Sequence, residues 1–218
     1  MSEIRIKEKF PRFVRWCHWI NFPMLTLMVW SGILIYWANQ AYIKIPESIV
    51  QGLGIDHKLS MGMGWHFFLL WPFVINGILY SIFLIYSGEW RELLPDRYSF
   101  KEAVEVVKHD LKIRKDVPSH HGKLNGAQRI VYSITLLIAL GSLLTGLAIY
   151  KPVQLSWITT ALGGYEAARF EHFLGMVIFI AFFIVHIAQV ARAGWNNFRA
   201  MIAGYEVIGE SNKTNNQE

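Results

Sequence analysis

The 218-residue chain has one cysteine, Cys17, few charged residues (17%), and four long stretches with no Asp, Glu, Lys or Arg. A single thiol excludes an internal disulfide and any iron–sulfur or zinc site built wholly on cysteine. Scarce charge excludes an ordinary soluble domain, in which roughly a quarter of the residues are charged. No internal repeat and no low-complexity tract is present. The charged first fifteen residues lead into an apolar run without a small-residue cleavage pattern, so that run reads as a retained first span and not a signal peptide.

What is abundant is apolar and aromatic. Hydrophobic residues make up 53% of the chain, with nine Trp, nine Tyr and fourteen Phe. The uncharged runs are Trp16–Ile43, Leu59–Gly88, Ile130–Tyr150 and His172–Ala191, of 28, 30, 21 and 20 residues. A helix needs about 20 residues to cross a bilayer. Backbone polar groups must be satisfied internally in lipid, so the runs are predicted to be helices. The fold class is therefore all-α: an integral membrane four-helix bundle. Residues 1–210 form one transmembrane domain, and the polar residues 211–218 form a disordered tail.

The net charge of +5 is a membrane signal because of where it lies. Residues 1–15, Glu89–Arg129 and the tail from Arg192 carry five, nine and three Lys/Arg, whereas Lys44–Lys58 and Lys151–Glu171 carry two each. The positive-inside rule puts both termini and the central loop in the cytoplasm, in a bacterial cytoplasmic (inner) membrane. Within that loop, Ser99 and Glu102 read as a capping box. Phe100, Val104, Val107 and Leu111 then share one face of a short amphipathic helix, either lying at the membrane interface or packing on a partner.

Four of the eight histidines, His18, His66, His172 and His186, sit inside the apolar runs. An ionisable group there is costly and is a functional hypothesis by default. His18 and His186 fall toward the cytoplasmic side, His66 and His172 toward the periplasmic side. His172 and His186 are 14 residues apart. That is about 21 Å of helical rise, within about 40° of whole turns, so one face presents two imidazoles at two depths. Each level then has two imidazoles. Zinc wants three or four protein ligands at one point, whereas a haem supplies four nitrogens and needs only two axial ligands. Gly62 and Gly64 before His66, Gly175 one turn after His172, and Gly32, Gly141 and Gly146 in the other spans offer room for a flat cofactor or for close helix packing. Arg15, Arg129, Arg192, Lys58 and Arg169 are either partners for haem propionates or interfacial anchors. His57, just outside the second run, is the alternative ligand to His66.

These residues resemble a known group. Arg15-Trp16-Cys17-His18-Trp19, Gly64-Trp65-His66, Lys123 to Arg129 and Glu171-His172 with His186 are similar to the membrane cytochrome b subunits of formate dehydrogenase, nickel–iron hydrogenase and thiosulfate reductase, most of all the last. The resemblance covers roughly residues 10–205. It implies two haems b, His18 pairing with His186 and His66 with His172. It also implies a quinone site at Asn125, Gly126, Gln128 and His186. Amide groups at an interface suit a quinone carbonyl, and they equally suit a helix cap. The expected function is electron transfer between quinone and a periplasmic partner subunit of molybdopterin or iron–sulfur type. Two rivals are a self-sufficient di-haem oxidoreductase acting on a small oxidant, and a non-haem transporter whose histidines relay protons.

Overall fold

The computed structural model describes residues 5–38, 42–116 and 122–208. The expected disordered tail lies outside them, as do His120 and His121. The elements in chain order are β1 (Arg5–Glu8), α1 (Arg12–Trp37), α2 (Glu47–Gly52), α3 (Leu59–Ser87), α4 (Trp90–Leu93), α5 (Ser99–Asp110), α6 (Gly126–Tyr150), α7 (Ser156–Ala161), α8 (Tyr165–Ala203) and β2 (Tyr205–Ile208). Four of them, α1, α3, α6 and α8, are long and apolar enough to cross a membrane. Their outward residues are apolar: on α3, Phe68, Trp71, Ile75, Ile78, Ile82 and Ile85 recur at helical spacing and all are exposed. Such a stripe would be unfavourable in water and is satisfied by acyl chains. The chain is an all-α, multi-pass protein of the bacterial inner membrane.

Helix limits differ from the uncharged runs because a helix does not end where charge begins. Helix α1 starts at Arg12 and ends at Trp37, six residues short of the run's end. The fourth run is only the centre of the 39-residue α8. That helix is interrupted at Gly194, whose φ of 79° and ψ of 176° break the turn. A side chain is strained at such a φ, and glycine is not.

The chain divides into two compact units, residues 1–83 with 189–218, and residues 84–188. In the first, α1 and α3 run antiparallel. A Cβ on Gly62 would meet Leu34 Cβ at 2.9 Å, and further along Asn76 Nδ2 donates to Cys17 O at 2.9 Å and to Asn21 Oδ1 at 2.7 Å. Asn76 is a buried polar clamp in mid-span. Trp19 Nε1 donates to Met201 O at 3.0 Å, holding the last turns of α8 to α1. The sequence reading contains no strands, yet β1 and β2 pair antiparallel, from Arg5 opposite Ile208 to Glu8 opposite Tyr205. This ribbon brings the two ends of the described chain together. Lys9 closes it with bonds to Glu206 at 2.7 Å and Asn197 at 3.0 Å.

In the second unit α6 packs antiparallel to the first part of α8. Ala148, Ile158 and Ala168 form a small core where α6, α7 and α8 meet. At the other end, α5 lies across the start of α6. An added Cβ on Gly126 would sit 2.2 Å from Ser99 O, so only glycine admits this approach. The expected helix α5 is present, and its apolar face points outward: Phe100, Val104, Val107 and Leu111 are all exposed.

The start of α5 corrects the expected capping box. Ser99 is not the cap for a box with Glu102. Asp96 Oδ1 instead accepts from Ser99 N and Tyr98 N, both at 2.9 Å, and Ser99 Oγ accepts from Asp96 N at 3.0 Å. Ser99 therefore fills the far side of a reciprocal pair that begins three residues earlier. The Asp96 carboxylate accepts both amides with a charged oxygen, a stronger acceptor than a hydroxyl. The Ser99 hydroxyl bond, the Tyr98 and Ser99 amides and the nearby Arg129 charge together hold the Asp96 carboxyl below its ordinary pKa.

Candidate haem-binding site

The four intramembrane histidines lie on three helices, His18 on α1, His66 on α3, and His172 and His186 on α8, and all are half-buried. His57 is elsewhere. It sits in the turn before α3 with φ of 52°, its side chain 94% exposed and 4.0 Å from Asp56. His66 is the one that faces another span.

His66 Nδ1 lies 3.0 Å from Ser31 Oγ on α1. Ser31 is fully buried, and its hydroxyl also reaches Met28 O at 3.0 Å. A hydroxyl has one hydrogen. With that hydrogen on the carbonyl, the oxygen can accept from a ring protonated at Nδ1, the tautomer that leaves the lone pair on Nε2. His172 repeats the arrangement in the second unit. Its Nδ1 lies 3.0 Å from Thr145 Oγ1 on α6, and that hydroxyl reaches Gly141 O at 2.8 Å and Ser142 O at 3.1 Å. Gly146 makes room for the ring: an added Cβ there would be 3.2 Å from His172 Cε1.

His18 and His186 have aromatic neighbours. The His18 ring meets Trp19 edge-on at 5.5 Å, and the His186 ring stacks on Phe182 at 5.6 Å and 23°. Within each unit the two histidines are separated by nearly the same height. In the second unit this is the 14-residue step along α8, about 21 Å. In the first, His66 stands opposite Ser31, thirteen residues along α1 from His18, or about 20 Å.

Among the described residues no three or more His, Cys, Asp or Glu gather where they could hold a metal ion. His66 and His172, each with Nδ1 on a hydroxyl of a neighbouring span, suit haem, which needs axial nitrogen ligands and no further protein donors.

The amides expected at a quinone site form a cap. Asn125 Oδ1 accepts from Gln128 N at 2.9 Å, and Gln128 Oε1 accepts from Asn125 N at 3.0 Å. Both oxygens are spent on the capping box of α6, while both NH2 groups remain donors in kind. Gly126 beside them is the contact point for α5. Arg129, a candidate propionate partner, is buried against Glu92 at 3.1 Å and Asp96 at 3.6 Å, so its charge is already matched within the second unit. Arg169 pairs with Glu166 at 3.0 Å, and Arg15 donates to the Ile202 carbonyl.

Ser31, Thr145 and Asn76 are absent from the sequence reading. The available signal is a polar residue placed where lipid or core is expected, but a serine or threonine in a span can satisfy itself on its own helix. Only the facing helix shows that it does more.

A multi-pass bundle with imidazoles presented inside its spans is the architecture of a membrane haem protein. The sequence profile of the family described as prokaryotic cytochrome b561 matches residues 9–204, and the chain belongs to that family. Its cofactor is haem b, and it is a membrane electron-transfer subunit; this sets aside the non-haem transporter. The chain is also 34% identical over 199 residues to a putative protein-methionine-sulfoxide reductase subunit, YedZ1, of Azospira oryzae. That match covers 89% of this chain and 96% of the relative.

Proposed function

We propose that the chain holds two haems b, one on His18 and His186 and the other on His66 and His172, and carries electrons from a quinol to a separate redox subunit that reduces a sulfoxide. The observation that carries this reading is the matched spacing. Each unit offers two imidazoles about 20 Å apart along its helices, as two ligand levels in one membrane require. Each haem, when bound, supplies a reversible one-electron iron couple.

The chain's own residues do the rest. The apolar spans exclude water and charge from the imidazoles. Asn125 and Gln128 offer NH2 donors to a quinone carbonyl near the α6 start, with His186 nearby in the reading drawn from the family resemblance. Gly126 allows α5 to cover that end. A quinol oxidised there releases two electrons and two protons. Two electrons and two protons convert a sulfoxide to a thioether and water, so the exchange balances. The seventeen positive residues against four support a cytoplasmic placement for the ends and the central loop, and a periplasmic placement for the partner, of molybdopterin or iron–sulfur type. The sulfoxide assignment follows what the Azospira relative is named for. The exposed apolar face of α5, flanked by Lys101 and Lys108, suits the cytoplasmic lipid interface.

The test is haem content and turnover. The purified chain should give two haems by pyridine haemochrome. His186→Ala should give one and lose quinol oxidation. Two haems retained in that variant would overturn the ligand assignment. A co-purified partner should reduce a sulfoxide with quinol only when this chain is present.

A further inference from the structure

We infer that Ser31 and Thr145 are positioning residues that fix the ligating form of His66 and His172 and thereby set apart the haem these two histidines bind. The inference rests on the proposed ligand pairs and adds a role for two hydroxyls that the pairs themselves do not assign.

The two hydroxyls come from different helices and reach their histidines independently, in separate units. They nevertheless make one arrangement. Each lies 3.0 Å from Nδ1 of its histidine, and each back-bonds to carbonyls of its own helix, Met28 for Ser31, Gly141 and Ser142 for Thr145. Both are among the few buried polar residues in the described spans. A hydroxyl that needs only to satisfy itself in lipid can stop at the carbonyl. These two also face an imidazole on a neighbouring helix.

The chemistry is directional. When Nε2 ligates, Nδ1 carries the ring proton, the hydroxyl oxygen accepts it, and the hydroxyl hydrogen goes to the carbonyl of its own helix. The ring is held in the tautomer with the lone pair on Nε2, at one orientation. A ligating histidine that donates its other N–H becomes a more basic ligand and stabilises the more positive metal state. The haem bound by His66 and His172 therefore has its oxidised form favoured by two such bonds. Removing either hydroxyl should move its potential to more positive values. Gly146 belongs to the same device, because it admits the His172 ring close to α6, one residue from Thr145.

The experiment is a redox titration of the purified holoprotein followed in the visible band, with haem counted separately. Ser31→Ala and Thr145→Val should each keep two haems and shift one of the two waves to more positive potential, the same wave in both variants, while the other wave stays in place. Ser31→Thr and Thr145→Ser should restore the wild-type curve. If haem content is intact and neither wave moves, the hydroxyls do not act on the ligands, and the inference fails while the haem reading stands. If the two variants shift different waves, His66 and His172 do not share a haem, and the pairing fails. Should Thr145→Val lose haem, Thr145→Ala and Thr145→Ser are titrated instead, and a wild-type wave in the alanine variant overturns the inference.

Discussion

His66 and His172 are held by hydroxyls, while His18 and His186 lie against aromatic rings. All four look alike in sequence, each an imidazole in an apolar run. A hydroxyl fixes the tautomer and the rotation of a ring through one directed bond. An aromatic neighbour, edge-on at His18 and stacked at His186, packs against the ring but says nothing about where the proton sits. One fold thus gives His66 and His172 a different kind of support from His18 and His186.

The sharpest way to break the comparison is to remove ligands. His66→Ala and His172→Ala should each take haem content from two to one and leave the same spectrum, and His18→Ala and His186→Ala should leave the other. If His66→Ala and His172→Ala leave different spectra, the pairs are misassigned. Next in size is Gly146→Val, which drives side-chain carbon into His172, at a cost of about 1–3 kcal/mol for overpacking. Haem content should fall at the hydroxyl-supported pair alone. Gly141→Ala, with nothing within 4 Å of the new carbon, should leave both haems in place.

Trp19→Phe works on the other pair. It removes the bond to Met201 O, worth about 1 kcal/mol, and loosens the end of α8 from α1. Thermal stability should drop slightly, and only the His18 haem should change its spectrum. The smallest effect is acid dependence away from both pairs. The native Asp96 pKa is depressed, so its contribution is full above the ordinary carboxylate range and is lost as pH falls through the native value. Protection of the α5 amides, measured against the intrinsic exchange rate at each pH, should therefore hold at neutral pH and fall only on acidification below about pH 4. Asp96→Asn should protect α5 less than wild type at neutral pH, the difference should close on acidification, and both haem spectra should remain unchanged.

Much of this was legible from one dimension. Uncharged runs longer than a bilayer is thick become helices because lipid leaves the backbone no other partner. The depth of a residue in a span follows from its position along the run, so the two histidine levels could be read by counting. The start of α5 could not be read so well, because Ser99 and Asp96 both carry capping oxygens and only the chain's path decides which serves which end. The β1–β2 ribbon was missed because two four-residue strands carry little pattern and pair across nearly the whole chain.

Order and spacing along the chain are enough for the four spans, for which of the eight histidines lie within them, and for how far apart along each helix they stand, because rise per residue is a local constant. It takes the folded chain to show that Ser31 meets His66, that Thr145 meets His172, that Arg129 is already paired with Glu92 and Asp96, and that Asn125 and Gln128 cap each other's backbone. Those are choices among partners on different segments, and a hydrogen bond is settled by which donor arrives within 3 Å, not by which residues are present.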